Sequence, residues 1–228
     1  MIKLKTIDIN RIYTIVNGEF DKHHMPVVDL IQLQTNDPFK VLVTTILSAR
    51  TKDETTSAAA KRLFLKVNNF EDLKKTPVAT IQSFIYPVGF YATKARHLKQ
   101  LPEAIETLFN GTIPDTVEDL IKLPGVGRKT ANLVVAVAFD KPAVCVDVHV
   151  HRICNRLGYV KTKTPFETEM KLREILPVKY WTTFNSYLVS FGQNTCRPVN
   201  PKCGECPLFA LCNRVGVKTK YIRKKDSL

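Results

Sequence analysis

The chain has 228 residues, 44% hydrophobic and 24% charged, which fits a globular protein with its own core and excludes a disordered one. Its 34 Lys and Arg outnumber 21 Asp and Glu, a formal net charge of +13. Lys61, Arg62, Lys66, Lys94, Arg96, Lys99, Arg128, Lys129, Arg152, Arg156, Arg197 and Lys202 spread that excess along the chain, which favours a polyanion such as nucleic acid. No apolar run approaches membrane-spanning length, and the start, MIKLKTIDIN, lacks the core of a signal peptide. A soluble intracellular protein with no membrane partner is expected.

Taken in order, the segments between turn residues read as helices. Asp37-Pro38 is an N-cap followed by proline at the first helical position, and Phe39, Leu42, Val43, Ile46 and Leu47 then share a face. Asp53 is the expected cap of a helix carrying Ala58, Ala59, Leu63 and Phe64, and Thr76-Pro77 repeats the cap-plus-proline pattern before Ile81, Phe84 and Ile85. An amphipathic run over 91–109 ends at Gly111. Thr116-Val117-Glu118-Asp119 approximates a capping box for a short helix ending near Leu123. Helices over 128–139 and 147–157 follow, the second closed by Gly158; Thr164-Pro165 opens another, and 180–191 is the last. Ala143 to Val148 is the one stretch whose pattern also admits an extended segment. The expected class is all-α, without sheet or internal repeat.

Within that frame three groups of residues carry chemistry. Leu123-Pro124-Gly125-Val126-Gly127-Arg128-Lys129-Thr130 ends one helix, turns through Gly-x-Gly and opens another. Glycines permit positive φ and close backbone approach, and the amides of the new helix start can receive an anion. In a basic chain a nucleic-acid phosphate is the natural guest, so a helix-hairpin-helix is expected at about 117–139, binding without reading sequence. Lys129 falls in the first turn of the second helix, beside Arg128. Positive surroundings and an expected partial burial favour its free amine, a nucleophile able to form Schiff bases, although a further phosphate contact fits the same position. Asp147 stands among apolar residues at a helix start. It reads either as a plain N-cap or as a carboxylate placed against positive charge developing on a sugar. His149 and His151 follow no zinc-binding spacing and are expected to be structural or to touch phosphate.

The third group is cysteine. Cys196, Cys203, Cys206 and Cys212 form C-x6-C-x2-C-x5-C, four thiolates able to reach one structural zinc or one iron–sulfur cluster, with unrelated thiols or two disulfides as the plainer reading. Cys145 and Cys154, in apolar or helical context, are expected to be reduced core residues.

In this order and at these distances, LPGVGRKTAN, VDVHVHRICNR and the cysteine run closely resemble endonuclease III, a bifunctional DNA glycosylase of the helix-hairpin-helix base-excision repair superfamily, from about Phe39 to Cys212. The resemblance implies two helical domains with a DNA groove between them. One is a helical barrel bearing the hairpin, expected at 31–141; the other is a cluster domain built from 1–30 and 142–228. It implies that the four cysteines ligate [4Fe–4S]. It also implies that Lys129 attacks C1′ of the damaged nucleotide, with Asp147 as the catalytic carboxylate.

Gly125, Val126, Gly127, Arg128 and Thr130 match the phosphate-binding hairpin, and Arg197 and Lys202 a basic loop of the cluster domain. Phe90, in Val88-Gly89-Phe90-Tyr91, falls where the family places an apolar wedge, often Leu. Arg50, in Leu47-Ser48-Ala49-Arg50-Thr51-Lys52-Asp53, stands where Gln is familiar and can bond guanine bidentately. Val148 stands where bacterial relatives usually have Thr. The implied activity is N-glycosylase and abasic-site lyase on oxidised pyrimidines, such as thymine glycol, in double-stranded DNA with a damaged base or abasic site. The enzyme is expected to be a monomer in the cytoplasm of a prokaryote, at the nucleoid. A monofunctional mismatch glycosylase of the same fold and a non-catalytic DNA-binding or redox module are the alternatives. The first generally lacks a lysine at the Lys129 position, and the second makes Lys129 and Asp147 dispensable.

Overall fold

The computed structural model describes residues 5–20, 22 and 25–218, and every regular element among them is helical. The chain divides into two compact units: Pro26–Ala143, and Met1–Met25 together with Val144–Leu228.

The Pro26–Ala143 unit holds α2 (Val27–Thr35), α3 (Pro38–Ser48), α4 (Asp53–Phe64), α5 (Phe70–Lys75), α6 (Val78–Ile85), α7 (Tyr91–Phe109), α8 (Val117–Leu120) and α9 (Arg128–Phe139). It starts at Pro26 rather than 31 because α2 packs on α3. Helix α3 is central: Phe39 and every residue from Val41 to Leu47 are buried, and it packs on α2, α4, α7 and α9. A helix apolar all round belongs inside a core. Asp37 starts it, accepting a hydrogen bond from the Phe39 amide at 2.9 Å.

Two cap expectations are corrected. Asp53 is the first residue of α4, after Lys52 at the cap position. Thr76 closes α5 instead of capping α6; its hydroxyl donates back to the Asp72 carbonyl at 2.7 Å. Helix α8 ends at Leu120, and turns carry the chain to Leu123.

The charge distribution is also corrected, because three cations counted toward a basic surface close helix C-termini inside this unit. Carbonyls of a last helical turn have no intrahelical partner and carry partial negative charge. Lys94 serves those after α3, Lys99 bonds the Thr76 carbonyl at 2.9 Å and that of Lys74 after α5, and Arg62 bonds the Phe84 carbonyl at 2.9 Å and that of Tyr86 after α6.

The other unit holds α1 (Ile9–Phe20), α10 (Val148–Leu157), α11 (Pro165–Ile175) and α12 (Trp181–Asn194), with 3₁₀ turns at Val178–Tyr180 and Cys203–Glu205. Phe184, Leu188 and Phe191 of α12 pack with Ile12 and Val16 of α1 and with Val150, Ile153, Cys154 and Leu157 of α10. Cys154 is thus a core residue, and burial pushes its thiol well above the ordinary range. Val144 to Val146 is buried without forming a strand, and the Asn185 amide donates to the Cys145 carbonyl at 3.2 Å.

Candidate nucleic-acid interface and metal centre

The two hairpin glycines do different work. Gly125 has φ +77°, and a Cβ there would lie 2.8 Å from Nδ1 and 3.0 Å from Cβ of His97, so backbone angle and packing both demand glycine. Gly127 caps α9 at φ −90° and ψ 171°, which any residue adopts, and a Cβ there would meet nothing within 4 Å. The fold therefore does not require glycine at 127. What its missing side chain provides is bare space outside the start of α9, where first-turn amides point away from the helix.

Arg128 is half-buried, and Lys129, in the same turn, is exposed rather than partly buried as expected. Val126 and Thr130 are buried. The Val126 side chain belongs to the core and its amide donates to the Leu123 carbonyl at 3.1 Å, so that side chain is withdrawn from any external contact.

Asp147, in the other unit, is the N-cap of α10. Its Oδ1 accepts from the amides of His149 at 2.8 Å and Val150 at 2.9 Å, and the residue is 6% exposed. The helix start favours negative charge, and the two hydrogen bonds accepted by Oδ1 fix the direction of the carboxylate. Both histidines are built into the fold. His149 Nδ1 lies 3.1 Å from Arg152 Nη2 and so close to Gly192 that a Cβ there would stand 2.4 Å from it. His151 Nδ1 shares a hydrogen bond with Thr168 Oγ1 at 2.7 Å. Val148 is 64% exposed, a large apolar residue open to solvent beside Asp147.

The Arg50 and Phe90 loops, distant in sequence, form one assembly. Phe90 is 63% exposed, not core, and holds the N-cap position of α7 at φ 58°; Arg50 has φ 54° and places its guanidinium 5.6 Å from the centre of the Phe90 ring. Positive φ is uncommon outside glycine, and such residues persist where their surroundings over-determine them. Gly89 brings the two backbones together: a Cβ on it would lie 2.7 Å from the Arg50 carbonyl oxygen, and its amide donates to Thr51 Oγ1 at 3.2 Å. Lys94 ties the pair from below. Its Nζ donates to the carbonyls of Leu47 at 2.7 Å and Ala49 at 2.6 Å and to Thr51 Oγ1 at 3.2 Å, and burial pulls its amine down to about 8. Nothing in the sequence marks Lys94 off from the surface lysines; only its place in the first turn of an amphipathic helix hints that it could reach inward.

All four C-terminal cysteines line one cavity with Ile153, Leu157, Phe191, Leu208 and Phe209. Among the described residues no three His, Cys, Asp or Glu side chains converge where a single ion could sit. Four thiols lining one cavity are the donor set that an iron–sulfur cluster takes. Burial raises the Cys203 and Cys212 thiols and pushes Cys206 up to about 12; a thiol gives up its proton to ligate a metal. The donor set fits an iron–sulfur cluster.

Two arginines of α10 brace the cysteine loop that follows α12. Arg152 donates to the Cys196 carbonyl at 2.8 Å and the Gly192 carbonyl at 3.1 Å; Arg156 donates to the carbonyls of Arg197 at 2.7 Å and Pro198 at 3.0 Å. Both belong to the basic excess expected to face a polyanion, and instead they serve this loop. Arg197 and Lys202 remain exposed on it.

Known proteins match this arrangement. The model of the helix-hairpin-helix superfamily of base excision DNA repair proteins matches residues 43–178, and that of the iron–sulfur binding domain of endonuclease III matches residues 196–212. Endonuclease III of Thermotoga maritima is 47% identical over 176 residues, 77% of this chain and 83% of that one. A solved non-covalent endonuclease III–DNA complex aligns with a TM-score of 0.81 and 34% identity, covering 90% of this chain and 94% of the other. A trapped endonuclease III–DNA covalent intermediate, an estranged-adenine complex, aligns with a TM-score of 0.74 and 37% identity, covering 78% and 84%. With the hairpin, the capped carboxylate and the cysteine-lined cavity already in place, the chain belongs to the endonuclease III family of base-excision repair enzymes, DNA glycosylases with abasic-site lyase activity and a [4Fe–4S] cluster.

Proposed function

We propose that the protein removes oxidised pyrimidines, thymine glycol among them, from double-stranded DNA and then cuts the strand at the abasic site, with Lys129 as nucleophile and Asp147 as the assisting carboxylate. The observation that carries the reading is the place of Lys129: an exposed lysine in the first turn of α9, two residues after the cap Gly127, where a Cβ would meet nothing within 4 Å.

The damaged base is held inside the duplex stack and shields C1′, so the nucleotide is flipped out first. The Lys129 amine forms a bond to C1′ as the bond from C1′ to the base breaks, and the base leaves with that electron pair. Opening of the sugar ring and loss of the amine proton give a Schiff base, whose electron-withdrawing pull allows a proton to leave C2′ and the 3′ phosphate to depart. A carboxylate at the Asp147 position stabilises the cationic sugar and receives a proton. Phe90 wedges into the gap left in the stack and Arg50 meets the estranged base, with guanine preferred.

Backbone amides at Gly127–Thr130 and the side chains of Arg128, Arg197 and Lys202 hold phosphates. Gly125 shapes the turn, and Val126 acts through the core. Cys196, Cys203, Cys206 and Cys212 hold the [4Fe–4S] cluster, which when bound cross-links the C-terminal run. The enzyme acts as a monomer in a prokaryotic cytoplasm, on DNA of the nucleoid.

Borohydride trapping on a duplex with one thymine glycol tests this. Wild type is expected to give a covalent protein–DNA adduct and Lys129→Gln none. Base release without an adduct would move the protein to the monofunctional class, and neither event would exclude thymine glycol as a substrate. For the Arg50 role, Arg50→Gln must change the ratio of excision rates opposite guanine and opposite adenine.

A further inference from the structure

We propose that Lys94 is a positioning residue that locks the Arg50 loop to the Phe90 loop, so that the two enter a damaged duplex as one rigid piece. The inference rests on the reading of those loops as the parts that fill the stack and meet the estranged base.

The geometry points to a latch rather than a simple cap. An ammonium offers three N–H donors, and Lys94 Nζ finds three acceptors, Leu47 O, Ala49 O and Thr51 Oγ1, at 2.6–3.2 Å, all on the chain that runs through Arg50. The same residue, through its backbone, donates to the Phe90 carbonyl at 3.0 Å, one turn along α7. Lys94 therefore holds one loop by its side chain and the other by its main chain. Thr51 Oγ1 is shared: it also takes the Gly89 amide at 3.2 Å. Arg50 and Phe90 both have positive φ, and with the Gly89–Arg50 backbone approach these bonds are what hold them there. Lys99 and Arg62 also serve helix ends in this unit, but their carbonyls lie at Lys74, Thr76, Phe84 and Tyr86, off the Arg50 loop.

A merely structural lysine and a latch differ in what they do to recognition. The test uses the whole holoenzyme and duplexes carrying one tetrahydrofuran, an uncleavable abasic analogue, opposite guanine or adenine, with undamaged duplex as reference; affinities are read by fluorescence anisotropy. Lys94→Met is expected to lower the ratio of lesion to undamaged affinity by about tenfold and to bring the guanine-over-adenine preference to about one. Added to Arg50→Gln with Phe90→Ala, it is expected to cost less than about twofold more, because the parts it positions are already gone.

Independent, multiplicative losses would overturn the latch, as would a wild-type preference in Lys94→Met. If Arg50→Gln and Phe90→Ala by themselves leave the lesion ratio at the wild-type value, the reading of the loops fails and the latch with it, whatever Lys94 does. Should Lys94→Met not fold, Thr51→Val, which removes the shared acceptor, carries the same test with the same signs.

Discussion

Between Pro26 and Ala143 the chain buries a continuous apolar cluster that reaches from Phe39 on α3 to Ala136 on α9, whereas among residues 196–217 only Pro201 and Leu208 are buried. Where side chains meet in such numbers, their removal from water is enough to hold helices together. The C-terminal run has too little apolar surface for that. It leans instead on arginines that donate to its carbonyls, Arg152, Arg156 and Arg214, and on four thiols facing one cavity. Regions of one protein can thus be ordered by burial or by cross-linking, and the same perturbation should separate them.

The largest effect is expected from the cross-link. Removing iron by chelation, or replacing a ligand by Cys206→Ser, should erase amide hydrogen-exchange protection over residues 196–217 and spare α3 and α9. Loss of protection in α3 at the same rate would break the contrast. The converse change, Leu98→Ala in the apolar cluster, is expected to destabilise its unit by about 2–5 kcal/mol in denaturant while the iron content per chain stays constant; Leu98 is fully buried.

Smaller effects sharpen the comparison inside the hairpin. Gly125→Ala forces a Cβ against His97 at positive φ and is expected to cost about 1–2 kcal/mol or more. Gly127→Ala should stay within about 0.5 kcal/mol of wild type in stability and weaken DNA binding instead. Equal stability losses at the two positions would remove the functional reading of Gly127.

The smallest effect is a pH slope. The Lys94 amine sits at about 8 in the folded protein against an ordinary 10.5. Between those values the unfolded chain binds more protons than the folded one, so stability from this group rises with pH across that window. Below about 8 both states are protonated and the burial penalty is fully present. Relative to Lys94→Met, wild type should therefore gain on the order of 1 kcal/mol between pH 8 and pH 9.5, and a difference that shrinks over that range would contradict it.

Much of the helical frame was legible in residue order. Asp37-Pro38, Thr164-Pro165 and the Asp147–Gly158 pair mark starts and stops by local chemistry, and all three hold. Helices α1, α2 and α5 were not read. Of these α5 is only six residues long, and α2 has no side-chain cap at its start. The hairpin, Lys129, Asp147 and the cysteine run were legible as candidates because a helix end, a cap and a ligand loop are short-range patterns. The burial of Val126, the exposure of Lys129 and the inward turn of Lys94, Arg152 and Arg156 were not, since a basic residue looks the same in sequence whether it faces solvent or a carbonyl.

The sequence by itself determined that the protein is helical, basic and equipped with a glycine hairpin and four clustered thiols, because these follow from neighbours within a turn or two. Only the tertiary structure decided which cations turn inward onto backbone carbonyls and how the Arg50 and Phe90 loops meet. Those outcomes depend on residues far apart in the chain, such as Leu47 and Lys94, 47 positions apart, whose carbonyl and amine become partners only when the core has packed.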